Sequence, residues 1–264
     1  MRRYHGIVVH RSKDRYGSIE IVDDGLVRSM HFGNAVRQSA MDLNRPAYPL
    51  LAYTRSMLAG LLFQPVPRRV LLIGLGGGSL AKFLLRHCTD CIIDAVEQRA
   101  AVVALAHAYF LLPEDPRLRI HIGDGGDFVQ RTADTGGGYD LIMVDAYDGA
   151  GLAEGVAETA FLAACRQLLG EEGVLVCNLW GHDRPQSTEV RWRLQRCFAT
   201  APWLLTAEGT SNLITLSLRR SDRSAREAAA HAKALQKRTG VEFLRLSHAL
   251  QRRRPTLLDL LFVH

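Results

Sequence analysis

The chain has few cysteines, few aromatic residues and no long hydrophobic run. Its 264 residues include 5 cysteines, which are too few and too scattered for a disulfide framework. Aromatic residues make up 7% of the sequence, so no stacking platform for nucleic-acid bases accompanies the basic residues. No apolar stretch reaches the roughly 18 residues of a membrane span, and the start of the chain lacks the apolar run of a signal peptide. We therefore expect a folded, cytoplasmic protein that does not bind a membrane.

One pair of cysteines has the spacing of a motif. Cys88 and Cys91 form a CxxC, which can be a redox pair or half of a zinc site. No second pair and no neighbouring histidine completes a tetrahedral ligand set. We expect two buried thiols and no metal site.

The formal net charge of +6 is concentrated toward the C-terminus. Basic residues accumulate between Arg219 and Arg254. Such a surplus can meet nucleic acid, an acidic lipid surface or an anionic partner. A solvated helix face with a basic end is the favoured interpretation, and nucleic-acid binding is the less favoured alternative.

Residues 1–48 are predicted to form a small β appendage. GSIEIV and LVRSMHFG have the composition of strands, and the Asp23-Asp24-Gly25 segment between them has that of a turn. In residues 49–63 the apolar side chains recur at helical spacing, which predicts a helix that ends before Pro65.

Residues 49–220 alternate between apolar strands and amphipathic helices after this first helix. Five runs are predicted strands: RVLLIG, CIIDAVE, RLRIHIGD, YDLIMVDAY and GVLVCNLW. Continuous apolar strands separated by helices predict a mostly parallel sheet covered on both faces, which is a doubly wound α/β domain. WLLTAE and NLITLSLRR predict an antiparallel pair at one edge. Residues 221–264 are predicted to be a closing helix and a basic tail.

Ligands of an open α/β sheet bind beyond the carboxyl ends of its strands. Four successive predicted strands end in groups suited to binding or chemistry, namely the glycine loop at 74–79, Glu97, Asp124, and Asp145 followed by Asp148. For each aspartate alone, a helix cap or a turn is the alternative interpretation. Because the four strand ends meet at one edge, we expect these groups to form one site.

Small residues make up most of the glycine loop. They are Gly74, Gly76, Gly77, Gly78 and Ser79. Glycines remove the Cβ atoms that would hold a ligand away, and the next helix points its N-terminal amides at the loop. Tight packing between strand and helix is the alternative interpretation. Glu97 follows the loop at about the 20-residue offset at which an acidic side chain holds ribose hydroxyls, so a nucleoside is the favoured ligand.

Together these blocks resemble the spermidine synthase family of aminopropyltransferases, a branch of the Rossmann-like fold of S-adenosylmethionine-dependent methyltransferases. The similarity is carried, in chain order, by Gln38-Ser39, VLLIGLGGGS, AVE, DPRLRIHIGDG, YDLIMVDAYD and GVLVCNL. The order and spacing of the blocks are more specific than any one of them. The resemblance implies a methyltransferase-like domain that transfers an aminopropyl group to a small amine.

The resemblance also implies how the co-substrate is bound. Glu97 would hold the ribose, Asp124 and Gly125 would bind adenine, and Gln38 would join the glycine loop. The co-substrate would be S-adenosylmethionine or its decarboxylated form, with no metal.

The same resemblance implies residues for the acceptor amine. Asp145 would be the general base, because an alkylammonium must lose a proton before its nitrogen can attack carbon. Asp148 and Tyr48 would lie beside the amine. The dimers of the family also predict a homodimer.

Several positions depart from the pattern of that family, and two of them bear on the substrates. The family loop reads GGGDGG, and its aspartate contacts the ammonium of the decarboxylated donor, whereas this chain has Gly77 at that position. An aspartate would repel the carboxylate of intact S-adenosylmethionine, and a glycine would leave backbone amides free to receive it. The family tyrosine is followed by His or Gln and then Glu, whereas Tyr48 is followed by Pro49 and Leu50.

These departures leave three functions open. The first is aminopropyl transfer, which the resemblance implies. The second is methyl or aminocarboxypropyl transfer from intact S-adenosylmethionine, which Gly77 favours. The third is nucleoside binding without turnover, with the basic tail contacting RNA or an acidic partner.

Overall fold

The computed structural model describes residues 4–134, 136–146, 155–181 and 184–252. A four-stranded antiparallel sheet comes first. Its strands, in spatial as well as chain order, are β1 (Ile7–Asp14), β2 (Gly17–Asp24), β3 (Val27–His31) and β4 (Ser39–Asp42). The two strands predicted in this part of the chain are β2 and β3. The sequence analysis missed β1, whose apolar residues are exposed (74% for Ile7) and therefore show no alternation between a buried and a solvated face.

The second sheet has eight strands. They are β5 (Arg69–Ile73), β6 (Ile92–Glu97), β7 (Leu118–Ile122), β8 (Tyr139–Val144), β9 (Leu169–Trp180), β10 (Trp203–Thr206), β11 (Asn212–Leu218) and β12 (Gln251–Arg252). Their spatial order is β12-β10-β11-β9-β8-β5-β6-β7. The strands from β5 to β9 are parallel, and β10, β11 and β12 add antiparallel pairs beside β9. The predicted doubly wound α/β fold with an antiparallel pair is confirmed.

Eight α-helices lie within the described residues. They are α1 (Ala52–Met57), α2 (Ser79–His87), α3 (Ala100–Phe110), α4 (Gly125–Ala133), α5 (Thr159–Leu168), α6 (Arg184–Phe198), α7 (Ala225–Thr239) and α8 (Phe243–Ala249). The helix predicted over residues 49–63 is shorter than expected, because Leu51 is still extended and Leu58–Leu62 tightens into a 3₁₀ segment. The predicted closing helix is divided at Gly240, whose φ of 75° ends α7.

The eight-stranded sheet is buried on both faces. Along β5, Val70 and Leu72 join the core on one face, and Leu71 and Ile73 join the core on the other. Burial of alternating side chains on opposite faces explains the continuous apolar run in the sequence. Helix α7 packs into the first of these cores through Leu235. The division into residues 1–48, 49–220 and 221–264 stays a prediction.

A smaller core joins the N-terminal sheet to α3. Ile21 and Met30 of the sheet pack there with Phe110 of the helix. An ion pair between Arg99 and Asp14, 2.8 Å long and largely buried, ties the same two parts together. Within the described ranges, no helix combines the length and apolarity needed to cross a membrane.

Candidate active site

A cavity of about 580 Å³ lies at the carboxyl ends of β5, β6, β7 and β8. Strands β6 and β8 flank β5, so the cavity lies at the point where the strand order reverses, the usual position of a ligand in this kind of sheet. Residues 16–18 and 36–39 of the N-terminal sheet cover one side. The volume is in the range of sites for small organic molecules.

Part of the glycine loop lines the cavity. Gly74, Gly76 and Ser79 are lining residues. Gly74 has a φ of 94°, and a Cβ there would lie 2.2 Å from the carbonyl oxygen of Asp145. Only glycine allows this approach. It brings the end of β5 next to the end of β8, where the amide of Asp145 donates to the carbonyl of Ile73 at 2.8 Å.

The other two glycines of the loop pack against protein. A Cβ on Gly77 would lie 2.7 Å from the ring of Phe110 and 2.7 Å from Ser39 Oγ. A Cβ on Gly78 would lie 2.6 Å from Leu112. The amide of Gly77 donates to Ser39 Oγ at 3.0 Å. This corrects the expectation that the Gly77 amide is free to receive a carboxylate, because a buried serine already satisfies it. Tight packing therefore accounts for Gly77 and Gly78, whereas Gly74 and Gly76 line the cavity and their contact with a ligand stays a prediction.

Glu97, at the end of β6, binds the backbone of the glycine loop. Its Oε2 accepts hydrogen bonds from the amides of Leu75 at 3.1 Å and Gly76 at 3.4 Å. Its Oε1 accepts from the amide of Arg99 at 3.0 Å. Glu97 also lines the cavity. The carboxylate is thus held rigidly at the cavity wall, and its contact with a ribose stays a prediction.

Asp124 is a helix cap that also lines the cavity, and its contact with adenine stays a prediction. It is the N-cap of α4, where Oδ1 accepts from the amide of Asp127 at 2.9 Å, and it lines the cavity. Gly125 lines the cavity as well, and a Cβ there would lie 2.6 Å from Ile73. Gln38 lines the opposite side, and its carbonyl oxygen lies 3.4 Å from the hydroxyl of Tyr53.

Asp145 lies directly after β8 and lines the cavity. Asn178 Nδ2 donates to its Oδ1 at 2.8 Å, and Asn212 Nδ2 donates to Asn178 Oδ1 at 3.0 Å. Burial raises the pKa of Asp145, and the nearby charge of Glu97 adds to this, whereas hydrogen bonds from Asn178 and Tyr53 lower it. A carboxylate with a raised pKa at a cavity wall suits general base chemistry. Asp148 lies outside the described residues.

Sequence reasoning missed three of these residues. Asn178 lies near the end of a predicted strand, so the search at strand ends could have included it. Asn212 begins β11, which runs antiparallel to β9, so that its first residue rather than its last reaches the cavity. Tyr53 lies on α1, whose residues that search did not cover.

The CxxC cysteines lie away from the cavity lining. Cys88 and Cys91 are both buried. Burial raises the pKa of Cys88, and it raises the pKa of Cys91 to about 12. Because the thiolate is the reactive and metal-binding form, neither thiol is prepared for redox chemistry or coordination. In the part of the chain that the structure describes, no three His, Cys, Asp or Glu residues form a metal-binding group.

Comparison with known proteins identifies the family. Residues 51–190 match the family model described as the spermine/spermidine synthase domain. The chain is 34% identical over 228 residues to the polyamine aminopropyltransferase of Chromobacterium violaceum. The matched residues cover 85% of this chain and 86% of that relative. The chain belongs to the spermine/spermidine synthase family.

Two solved structures connect this family to its wider fold. A spermidine synthase in complex with the transition state analogue AdoDATO has a TM-score of 0.75 and 19% identity, covering 97% of this chain and 89% of that one. Human methyltransferase-like protein 13 in complex with SAH has a TM-score of 0.65 and 28% identity, covering 74% of this chain and 92% of that one. The predicted methyltransferase-like fold is confirmed.

Of the two tyrosines Tyr48 and Tyr53, Tyr53 lines the cavity. Tyr48 is not among the described residues that line the cavity, and its ring lies 4.7 Å from the guanidinium of Arg45. A residue before proline is disfavoured in a helix, so Tyr48 precedes α1, which turns Tyr53 toward the cavity. Tyr53 is followed by Thr54 and Arg55. In the family pattern the second residue after the tyrosine is Glu. The second residue after Tyr53 is Arg55, which has the opposite charge.

The aspartate of the family's glycine loop has no space here. At Gly77 the place of a side chain is filled by Phe110 from α3 and Ser39 from β4. Phe110 is fully buried in the core beneath the N-terminal sheet. The change from Asp to Gly is thus accompanied by packing that excludes a larger residue.

Proposed function

We propose that this protein transfers an aminopropyl group from decarboxylated S-adenosylmethionine to a small amine. One observation carries the proposal: the partly buried carboxylate of Asp145, whose pKa is raised, lies in the same cavity as the glycine loop and Glu97. A base and a nucleoside-sized site are thereby adjacent. Membership of an enzymatic family whose relatives include polyamine aminopropyltransferases supports the same reaction.

In this proposal the donor occupies the half of the cavity formed by β5, β6 and β7. Glu97 binds the ribose hydroxyls, and Asp124 accepts from the adenine amino group. Gly74 and Gly76 let the donor approach the backbone, and Gln38 closes the cavity from the N-terminal sheet. All five of these residues line the cavity, which supports this arrangement.

Asp145 removes a proton from the acceptor ammonium, which frees the lone pair on nitrogen. The nitrogen forms a bond to the carbon next to the sulfonium, and the bond between that carbon and sulfur breaks. The electron pair stays on sulfur, so that methylthioadenosine leaves as a neutral thioether. Hydrogen bonds from Asn178 and Tyr53 lower the pKa of Asp145 and so favour its ionised form, and Asp148 is proposed to contact the acceptor.

Methyl transfer from intact S-adenosylmethionine is the second candidate. The packing at Gly77 leaves no place for the aspartate that would contact the donor ammonium. Arg37 lines the cavity, and its guanidinium, 3.8 Å from Asp24, is a cation available to a donor carboxylate. The similarity to human methyltransferase-like protein 13 in complex with SAH favours the same alternative.

The products distinguish the candidates. Purified protein incubated with each donor and a panel of small diamines is expected to form methylthioadenosine, detected by mass spectrometry, only with the decarboxylated donor. S-adenosylhomocysteine from the intact donor would instead establish methyl transfer. A ligand at about 100 times its dissociation constant adds roughly 2.7 kcal/mol of stability, so thermal shifts without any product would favour the binding protein. We further propose a homodimer in the cytoplasm, for which light scattering should give twice the mass of one chain.

A further inference from the structure

Two asparagines form a line of hydrogen bonds that ends at Asp145. Asn212, at the start of β11, donates to Asn178 on β9 at 3.0 Å, and Asn178 donates to Asp145 after β8 at 2.8 Å. These three strands are neighbours in the sheet. Asn178 is 2% exposed and Asn212 is 9% exposed. Two buried amides therefore cross the sheet toward the candidate base.

The order of donors along this line determines which way the amide of Asn178 faces. An asparagine amide has a donor end and an acceptor end. Because Asn212 Nδ2 occupies the oxygen of Asn178, the nitrogen of Asn178 must face the carboxylate. A turned amide would place its oxygen against Oδ1 of Asp145, where two acceptors repel each other. The backbone of Asn212 is held by strand pairing opposite Trp180, and its backbone N–H donates a hydrogen bond to Thr210 Oγ1.

We propose that Asn178 and Asn212 are positioning residues for Asp145: Asn212 orients the amide of Asn178, which in turn orients the carboxylate and favours its ionised form. The inference rests on the proposed function, in which Asp145 is the base. Asn178 lies in the GVLVCNL block, but the resemblance implied no role for it, and Asn212 lies outside the blocks that carry the resemblance. Their effect is transmitted through Asp145.

The surroundings of Asp145 disfavour its ionised form, so the hydrogen bond from Asn178 matters for the pKa of this carboxyl. Burial and the charge of Glu97, from β6, both raise the pKa of Asp145, whereas hydrogen bonds from Asn178 and from Tyr53, on α1, lower it. A protonated Asp145 cannot accept a proton from the amine. Removal of the Asn178 amide should therefore move the acidic limb of the activity profile to higher pH.

The first experiment compares the pH dependence of kcat/KM for the wild type, Asn178→Leu and Asn212→Leu. A hydrogen bond to a charged group corresponds to about one pH unit or more, so we expect the acidic limb of Asn178→Leu to rise by about one unit. The shift in Asn212→Leu should be smaller and in the same direction. Ser217→Ala is the matched control, because Ser217 is also buried on β11 and its hydroxyl has no partner among the described residues.

A second readout does not require turnover. The titration of the Asp145 carboxyl carbon, followed by ¹³C NMR and assigned with Asp145→Asn, should show the same rise in the Asn178→Leu protein. If the wild type forms no product but this rise occurs, the proposed function fails and the positioning role stands. If the wild type is active and neither asparagine variant changes the titration or the pH profile, the positioning role is overturned. Asn178→Ser gives a second variant if Asn178→Leu does not fold. Asn178→Gln keeps a side-chain amide, so its acidic limb should rise less than that of Asn178→Leu.

Discussion

The two halves of the cavity are built in different ways. The proposed donor half uses Gly74, Glu97 and Asp124, each of which lies at or just beyond the carboxyl end of its own strand. Its main internal contacts run from Glu97 to backbone amides. The acceptor half instead brings Tyr53 and Asp145 together with two asparagines from separate strands, through contacts between side chains.

This difference indicates which half can change its chemistry by substitution. Backbone amides are present whatever the side chain, so the donor half depends mainly on where the strands end. The acceptor half depends on the identity of each side chain. Substitutions in the two halves should accordingly separate donor affinity from turnover.

The largest expected effect is at the acceptor end. Asp145→Asn removes the candidate base and should lower kcat by roughly 10²- to 10⁴-fold. The thermal shift produced by the donor should remain close to that of the wild type, because Asn keeps the size of the side chain. Product assays and thermal shifts on the same preparation check both statements, and a fully active variant would remove Asp145 from the mechanism.

At the donor end, Glu97→Gln should weaken donor binding by about ten- to a hundredfold, since it removes the charge from hydrogen bonds to the loop. Isothermal titration with the preferred donor measures the change. Glu114→Gln is the control, because Glu114 is exposed and lies outside the residues lining the main cavity. Equal affinities in the two variants would contradict the comparison.

Gly77→Ala tests the packing behind the donor half. The added methyl group would meet Phe110 and Ser39, and overpacking of this kind costs about 1 to 3 kcal/mol. Urea unfolding should show the loss. Gly170→Ala is the control, because the nearest heavy atom to a Cβ there is 3.7 Å away. If Gly77→Ala is as stable as its control, the loop has room for a larger residue.

A smaller effect distinguishes the two tyrosines. Tyr53→Phe removes a hydrogen bond to Asp145 and should lower kcat by about fivefold, the equivalent of roughly 1 kcal/mol. Tyr48→Phe keeps the aromatic ring beside Arg45 and should leave kcat unchanged. Steady-state kinetics decide between them, and the reverse pattern would return the family role to Tyr48.

The smallest effect concerns stability and pH. Burial raises the pKa of Asp145. The contribution of this carboxyl to the free energy of unfolding is therefore present below its unfolded pKa of about 3.9, and it is lost as the pH rises through its folded pKa. Asp145→Asn removes a buried charge at neutral pH, and its urea midpoint should exceed that of the wild type at pH 7. The advantage should disappear near pH 3, and its persistence there would point to another cause.

The residues of the donor half could be located before the structure because a simple rule covers them. Glu97 and Asp124 each follow an apolar run, and parallel strands place their carboxyl ends at one edge. The role of Gly77 could not be read in this way, since Ser39 and Phe110 lie 38 and 33 positions away along the chain and meet it only after folding. The acceptor half was harder still: Tyr53 was overlooked because the sequence analysis assigned the role of the family tyrosine to Tyr48.

The sequence by itself determined the doubly wound sheet and the edge at which the cavity lies, because the period of apolar residues and the residues after each strand are local properties of the chain. Tertiary structure alone decided which tyrosine faces the cavity, which glycines face protein, and how Asn178 and Asn212 reach Asp145. The physical reason is that side-chain contacts between distant segments depend on strand order and direction. Strand β11 runs antiparallel to β9, and this direction brings Asn212 to the edge that holds the cavity.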